Sequence, residues 1–192
     1  MPLLEISDLI TAWDADTGQR QPIRRDAVVG LLREAGDERG ARIAAALPVN
    51  PDGTLDEQAV DHLMITVHTE LQRLSQELRI GDRLAHILRP LLAAVREAHP
   101  SAQPLRLVDV GCGLGYVLRW FAATGALGDD VELVGVDLDA TLVGEADRLA
   151  RSEKLDCRFV HGNAFSLREP ATVYEPLVHR RWYAPEPVPA GS

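Results

Sequence analysis

With 192 residues, 46% of them hydrophobic and 26% charged, the chain suffices for one domain of ordinary size, or for one domain with a helical appendage. It holds no apolar run approaching the ~18 residues of a membrane span. The net charge of -9 is shared, with 11 basic and 16 acidic side chains in residues 1–100 and 9 and 13 in residues 101–192. Neither half therefore offers the basic surface that drives nucleic-acid binding by counterion release, which disfavours a DNA or RNA substrate. Met1-Pro2-Leu3-Leu4-Glu5 lacks the basic stretch and apolar core of a secretory signal, so the expected location is cytoplasmic. The two cysteines, Cys112 and Cys157, stand outside any CxxC or Cys/His cluster, which argues against a disulfide framework or a zinc site.

Residues 1–100 read as a helical region. Shorter helices are expected over residues 24–35 and 38–47, ended by Pro48 and the turn Asn50-Pro51-Asp52-Gly53. Thr54 with Glu57 forms a capping-box signature, and Leu55, Ala59, Leu63, Val67, Leu71, Leu74 and Leu78 recur at three- and four-residue spacing until Gly81. This predicts a long amphipathic helix over about residues 55–79. Asp82 is placed to cap a second helix through Leu84, Ile87, Leu88, Leu91, Leu92 and Val95, kinked at Pro90, which lacks an amide hydrogen.

After residue 100 the pattern changes. Leu105 to Val110 is a short apolar strand that runs into glycines and a helix over 116–123, Val131 to Val136 is a second strand followed by a helix over about 141–150, and Cys157 to Val160 is a third strand. Strand and helix alternate with short connections, which predicts an α/β fold, a partial doubly wound (Rossmann-like) parallel sheet with an N-terminal helical region. The α/β unit is expected over residues 101–174. From Arg168 onward periodicity is lost, and Pro176, Pro185, Pro187 and Pro189 mark residues 175–192 as an irregular, proline-rich tail.

The chemistry is concentrated in Val108-Asp109-Val110-Gly111-Cys112-Gly113-Leu114-Gly115, an apolar strand running into three alternate glycines. Glycine permits positive φ and lets a ligand approach the backbone with no Cβ in the way. A dinucleotide fingerprint requires GxGxxG, but here the last position is Tyr116 and the spacing is GxGxG. Asp109, at the strand end, would repel a pyrophosphate. It suits a cation, and S-adenosylmethionine presents an ammonium and a sulfonium together. Asp137 ends the second strand, 26 residues beyond Gly111, where a carboxylate can accept bonds from both ribose hydroxyls. Leu138 beside it can pack on the adenine. After the third strand, His161-Gly162-Asn163-Ala164-Phe165 offers the Asn163 carbonyl to the adenine amino group, with Ala164 alongside.

In order and spacing, LVDVGCGLG, LVGVDLD and FVHGNAF resemble the first three motifs of class I S-adenosylmethionine-dependent methyltransferases, over roughly residues 105–166. The resemblance implies S-adenosyl-L-methionine as cofactor. It places the methionine moiety along Asp109 and the loop of Gly111, Cys112, Gly113 and Gly115, the ribose at Asp137, and the adenine at Leu138, Asn163 and Ala164. Many members carry Asp where this chain has Asn163, an exchange that removes a charge and keeps an acceptor. The family sheet continues with four more strands, so the domain is expected to be truncated after the third. Ala171 to Tyr174 is the only stub of a fourth, and Leu105 to Val110 becomes an exposed edge that needs a partner to cover it.

The function expected is S-adenosylmethionine-dependent methyl transfer to an unknown acceptor. The alternative is a non-catalytic remnant or S-adenosylmethionine-binding module without turnover, and a nucleotide-binding oxidoreductase is disfavoured by GxGxG. No catalytic residue or metal ligand is assigned. Cys112 reads as a loop-packing residue, because no His or Lys stands in sequence to activate it. His62 and His68, six apart, do not align as a metal pair and read as packed or solvated helix residues. Trp13, Trp120 and Trp182 read as packing residues, Trp120 foremost, and Arg180-Arg181 as part of a solvated tail.

Overall fold

The computed structural model describes residues 6–14, 19–100 and 104–164. The expectations for Phe165, for the stub Ala171 to Tyr174, for Arg180-Arg181 and Trp182, and for the tail 175–192 lie outside the described residues.

The helical region runs α1 (Ile6–Ile10), α2 (Arg25–Glu34), α3 (Glu38–Ala46), α4 (Glu57–Glu77) and α5 (Ile80–Ala98). The two expected shorter helices are α2 and α3, and Asp37 caps the latter by accepting a hydrogen bond from Gly40 N. Helix α4 starts later than the capping box suggests. Thr54 is taken up in the preceding turn, where its hydroxyl donates to Asp52 and accepts from Asn50, and Asp56 caps the helix by accepting from Ala59 N. The break between α4 and α5 also differs. Arg79, in the left-handed region at φ 53, makes the turn, while Gly81 lies inside α5. Asp82 sits in the first turn of α5, where its carboxylate accepts from Arg79 Nε at 2.9 Å. Helix α5 continues through Pro90 to Ala98.

The α/β region follows the expected alternation: β1 (Leu105–Val110), α6 (Tyr116–Thr124), β2 (Val131–Asp137), α7 (Ala140–Glu153) and β3 (Arg158–His161). The strands form a parallel sheet in the order β1-β2-β3, so β1 is an edge among the described residues. The register pairs Asp109 with Gly135 and Asp137 with His161. Because successive side chains alternate across a strand, Leu105, Leu107, Leu133 and Phe159 share one face. They pack there against Ala85 and Leu92 of α5, Leu118 and Phe121 of α6, and Val143, Ala146 and Ala150 of α7. The other face gathers Val108, Val134, Val136 and Val160.

Packing joins the helical region to the α/β region. The core of the helical region, built on Leu32, Ala44, Val60 and Met64, also contains Leu114 of the glycine loop and Leu142 of α7. Helix α5 closes on α6 at one point of very close approach. A Cβ on Gly81 would stand 2.4 Å from the Trp120 ring, and Trp120 is itself held edge-on against Phe121, with ring centroids 5.7 Å apart.

Gly81→Ala should therefore lower stability. The helical preference of alanine favours the replacement by roughly 0.5–1 kcal/mol, but overpacking against a ring with no free space costs about 1–3 kcal/mol. Urea unfolding should give a lower midpoint at unchanged slope, and an equal or higher midpoint would contradict the contact.

Candidate cofactor site

The site lies at the carboxyl ends of β1 and β2, where the chain leaves the sheet through Gly111 to Gly115. Val136 O accepts from Gly111 N at 2.8 Å and from Cys112 N at 3.2 Å, and Gly115 N donates to Cys112 O at 2.8 Å. The turn is thereby fixed to β2 before α6 begins. All three glycines have positive φ, 74, 53 and 67 in order. Space decides two of them further: a Cβ on Gly115 would fall 2.2 Å from the Phe159 ring, and one on Gly113 would fall 2.8 Å from His68. Above Gly111 the space is open, so a ligand reaches the backbone there.

Asp137 organises the loop. Its Oδ2 accepts from Gly113 N at 2.8 Å and its Oδ1 from Asp139 N at 2.9 Å, while its backbone carbonyl accepts from Gly162 N at 2.9 Å. One residue thus holds the first loop, the start of α7 and the end of β3. Each carboxylate oxygen still has a lone pair for a further donor. Asp109 is half-buried at the end of β1, and burial first, then the negative charge of Asp137, raises its carboxyl above the ordinary carboxylate range. Burial first, then the same two carboxylates, push the Cys112 thiol up to about 12, which disfavours a nucleophilic thiolate. Leu138, Asn163 and Ala164 are half-buried beside the loop ends, and the His161 ring is joined through Nε2 to Leu138 O at 3.0 Å. Asp139, buried, caps α7 by accepting from Thr141 N and Leu142 N.

Two residues belong to the site's construction that sequence spacing did not bring forward. His68, on α4, lies against Gly113 and donates from Nδ1 to Met64 O at 2.9 Å. That bond directs the other ring nitrogen away from the helix backbone. Arg119 of α6, 5% exposed, donates from Nε to Leu114 O at 3.2 Å and from its two terminal nitrogens to Glu153 and Gln72. It ties the loop to α7 and α4 together. Neither has a motif signature, because each acts by packing between segments far apart in sequence.

Asp109 bears a stability cost that its replacement should relieve. A carboxyl whose pKa is raised by folding adds stability below its unfolded value of 3.8, and loses that contribution as pH rises through the folded value. Asp109→Asn should therefore raise the thermal midpoint of the unliganded protein at neutral pH, with the gain shrinking as the pH is lowered toward 3.8. An unchanged midpoint at neutral pH would show that Asp109 carries no burial penalty.

Residues 107–180 match the family model described as Methyltransferase domain. No curated protein matches the chain. Among solved structures, the PH0226 protein of Pyrococcus horikoshii is 22% identical over 45% of this chain and 37% of its own, with a TM-score of 0.29. YJHP of E. coli is 21% identical over 44% of this chain and 29% of its own, with a TM-score of 0.30. A candidate caffeoyl-CoA O-methyltransferase of Staphylococcus aureus is 13% identical over 72% and 50%, with a TM-score of 0.27. The chain spans half the length of these proteins or less. The match over residues 107–180 and the parallel order of the three strands, with the glycine loop leaving the first, agree on an α/β, Rossmann-like fold that is similar to a methyltransferase domain over this part of the chain.

Proposed function

We propose that the loop binds S-adenosylmethionine and that the chain serves methyl transfer to an acceptor. The observation that carries this reading is the pair of carboxylates, Asp109 and Asp137, at the ends of adjacent strands beside a glycine loop open at Gly111. Burial and mutual repulsion raise Asp109, and nothing positive among the described residues offsets them, so the place suits a cationic ligand and opposes a pyrophosphate. An ammonium beside Asp109 would favour its ionised form. Asp137 would accept from the ribose hydroxyls with the lone pairs left free by Gly113 N and Asp139 N. Leu138, Asn163 and Ala164 would form the adenine end, and Gly111, Cys112, Gly113 and Gly115 the backbone cradle. His68 would stand as a wall from α4 over the middle of the loop.

S-adenosylmethionine supplies an electrophilic methyl group, which passes to an acceptor lone pair as the carbon–sulfur bond breaks and leaves S-adenosylhomocysteine. The work left to the protein is to hold donor and acceptor in line, and positioning of this kind supplies much of the rate without any nucleophile of the enzyme's own. Among the described residues no helix is long and apolar enough to cross a membrane, and the acidic net charge of -9 makes a small molecule or a protein a better acceptor than a nucleic acid.

Calorimetry should find S-adenosylmethionine or S-adenosylhomocysteine bound and NAD bound far more weakly; tighter binding of NAD would refute the assignment. Asp137→Ala should weaken S-adenosylhomocysteine binding by roughly 1.5–3 kcal/mol, the scale of hydrogen bonds to a charged acceptor, and should also lower stability, because two backbone N–H groups lose their partner. Asp139→Ala should cost about 1 kcal/mol of stability as a lost helix cap and leave the affinity of the folded protein unchanged. Equal affinities for the wild type and a folded Asp137→Ala variant would remove Asp137 from the ribose.

A further inference from the structure

The amphipathic stripe along α4 is only half used within the chain. Val60 and Met64 are buried in the helical core, yet Val67, Leu71, Leu74 and Leu78 on the same side are 40%, 51%, 50% and 44% exposed. Helix α5 repeats the pattern: Leu84, Leu88 and Leu92 pack toward the sheet, while Ile87, Leu91 and Val95 are 56%, 56% and 42% exposed. The spacing 60, 64, 67, 71, 74, 78 alternates four and three. That is the seam of a helix made to pack against another helix, and a helix resting only on its own core would carry polar residues there. The two bare stripes meet at the turn between the helices, where Leu78 and Ile87 line one open depression of about 600 Å³ together with Glu77 and Arg83.

We propose that this α4–α5 face is the isologous interface of a homodimer. Seven large apolar side chains, each about half exposed, leave on the order of 500 Å² of apolar surface, as much as the largest patch on an ordinary monomer. Two such faces together reach the ~1,000 Å² that a biological interface should clear. A second copy brings the same seam and so meets apolar surface with apolar surface about a two-fold axis. The rim is self-complementary as well. Glu77 at the end of α4 and Arg83 at the start of α5 form no ion pair within the described chain, and laying α4 over α5 of the second copy brings these opposite charges together. The proposal rests on exposed apolar side chains and not on the loop, so it stands independently of the cofactor.

Size-exclusion chromatography with light scattering on the full chain tests it. The wild type should elute at twice the 21.0 kDa of one chain at micromolar concentration. Leu71→Glu combined with Ile87→Glu, both exposed positions, should give the mass of one chain with an unchanged far-ultraviolet circular dichroism spectrum, a loss of association of at least ~100-fold, or about 2.7 kcal/mol. Leu74→Gln with Leu91→Gln provides a milder pair should the acidic variant lose helix. A wild type of one-chain mass throughout, or a dimer that survives in both folded variants, would overturn the proposal.

Discussion

Two carboxylates that repel one another are held at the ends of neighbouring parallel strands, and the α/β half of the protein is arranged to keep them there. Asp137 is tolerated because its charge is spread over backbone N–H groups of the loop and of α7, the arrangement that makes a buried carboxylate affordable. Asp109 has no such relief among the described residues. Burial and the charge of Asp137 raise its carboxyl, and a carboxyl in that condition is a candidate for meeting a cation. The glycine loop serves the same end: Gly113, at positive φ, brings its N–H to 2.8 Å from Asp137 Oδ2, a backbone conformation that glycine adopts without a Cβ penalty.

The helical region takes part in this arrangement directly. Leu114 leaves the loop to join the core of Leu32, Val60 and Met64, and Arg119 fixes the loop carbonyl while binding α4 and α7. A change in the packing of α4 therefore reaches the cofactor loop through Leu114, Arg119 and His68 without crossing a hinge. This shared packing gives the helices a role in forming the wall of the glycine loop.

Much of the α/β half was legible in the sequence because its signals are local. The apolar runs at 105–110 and 131–136 and the glycines between strand and helix each declare themselves within a few residues, and they appear where expected. The placement of Asp109 and Asp137 toward the ends of their strands was legible for the same reason. What was missed depends on contacts between distant segments. Thr54 has the chemistry of a cap, but the turn from Asn50 claims its hydroxyl, and Asp56 caps instead. Gly81 reads as a helix break, but it is there to admit the Trp120 ring. His68 reads as an ordinary helix histidine because nothing in its neighbourhood announces that Gly113 will lie against it. Arg119, an arginine in a short helix, gives no sign in sequence that three separate elements will surround it and leave it buried.

The account stands or falls on whether a cationic ligand answers the charge at Asp109. Proton release on binding measures this directly: S-adenosylmethionine is titrated at mildly acidic pH in two buffers of different ionisation enthalpy, and the observed heats are compared. If an ammonium or sulfonium comes to rest beside Asp109, the carboxyl that burial and Asp137 bias toward its protonated form is drawn toward its ionised form as the complex forms, and the heats should differ in the sense of proton release for the wild type and converge for Asp109→Asn. Heats that are the same in both buffers for the wild type, or proton release that persists undiminished in Asp109→Asn, would contradict it.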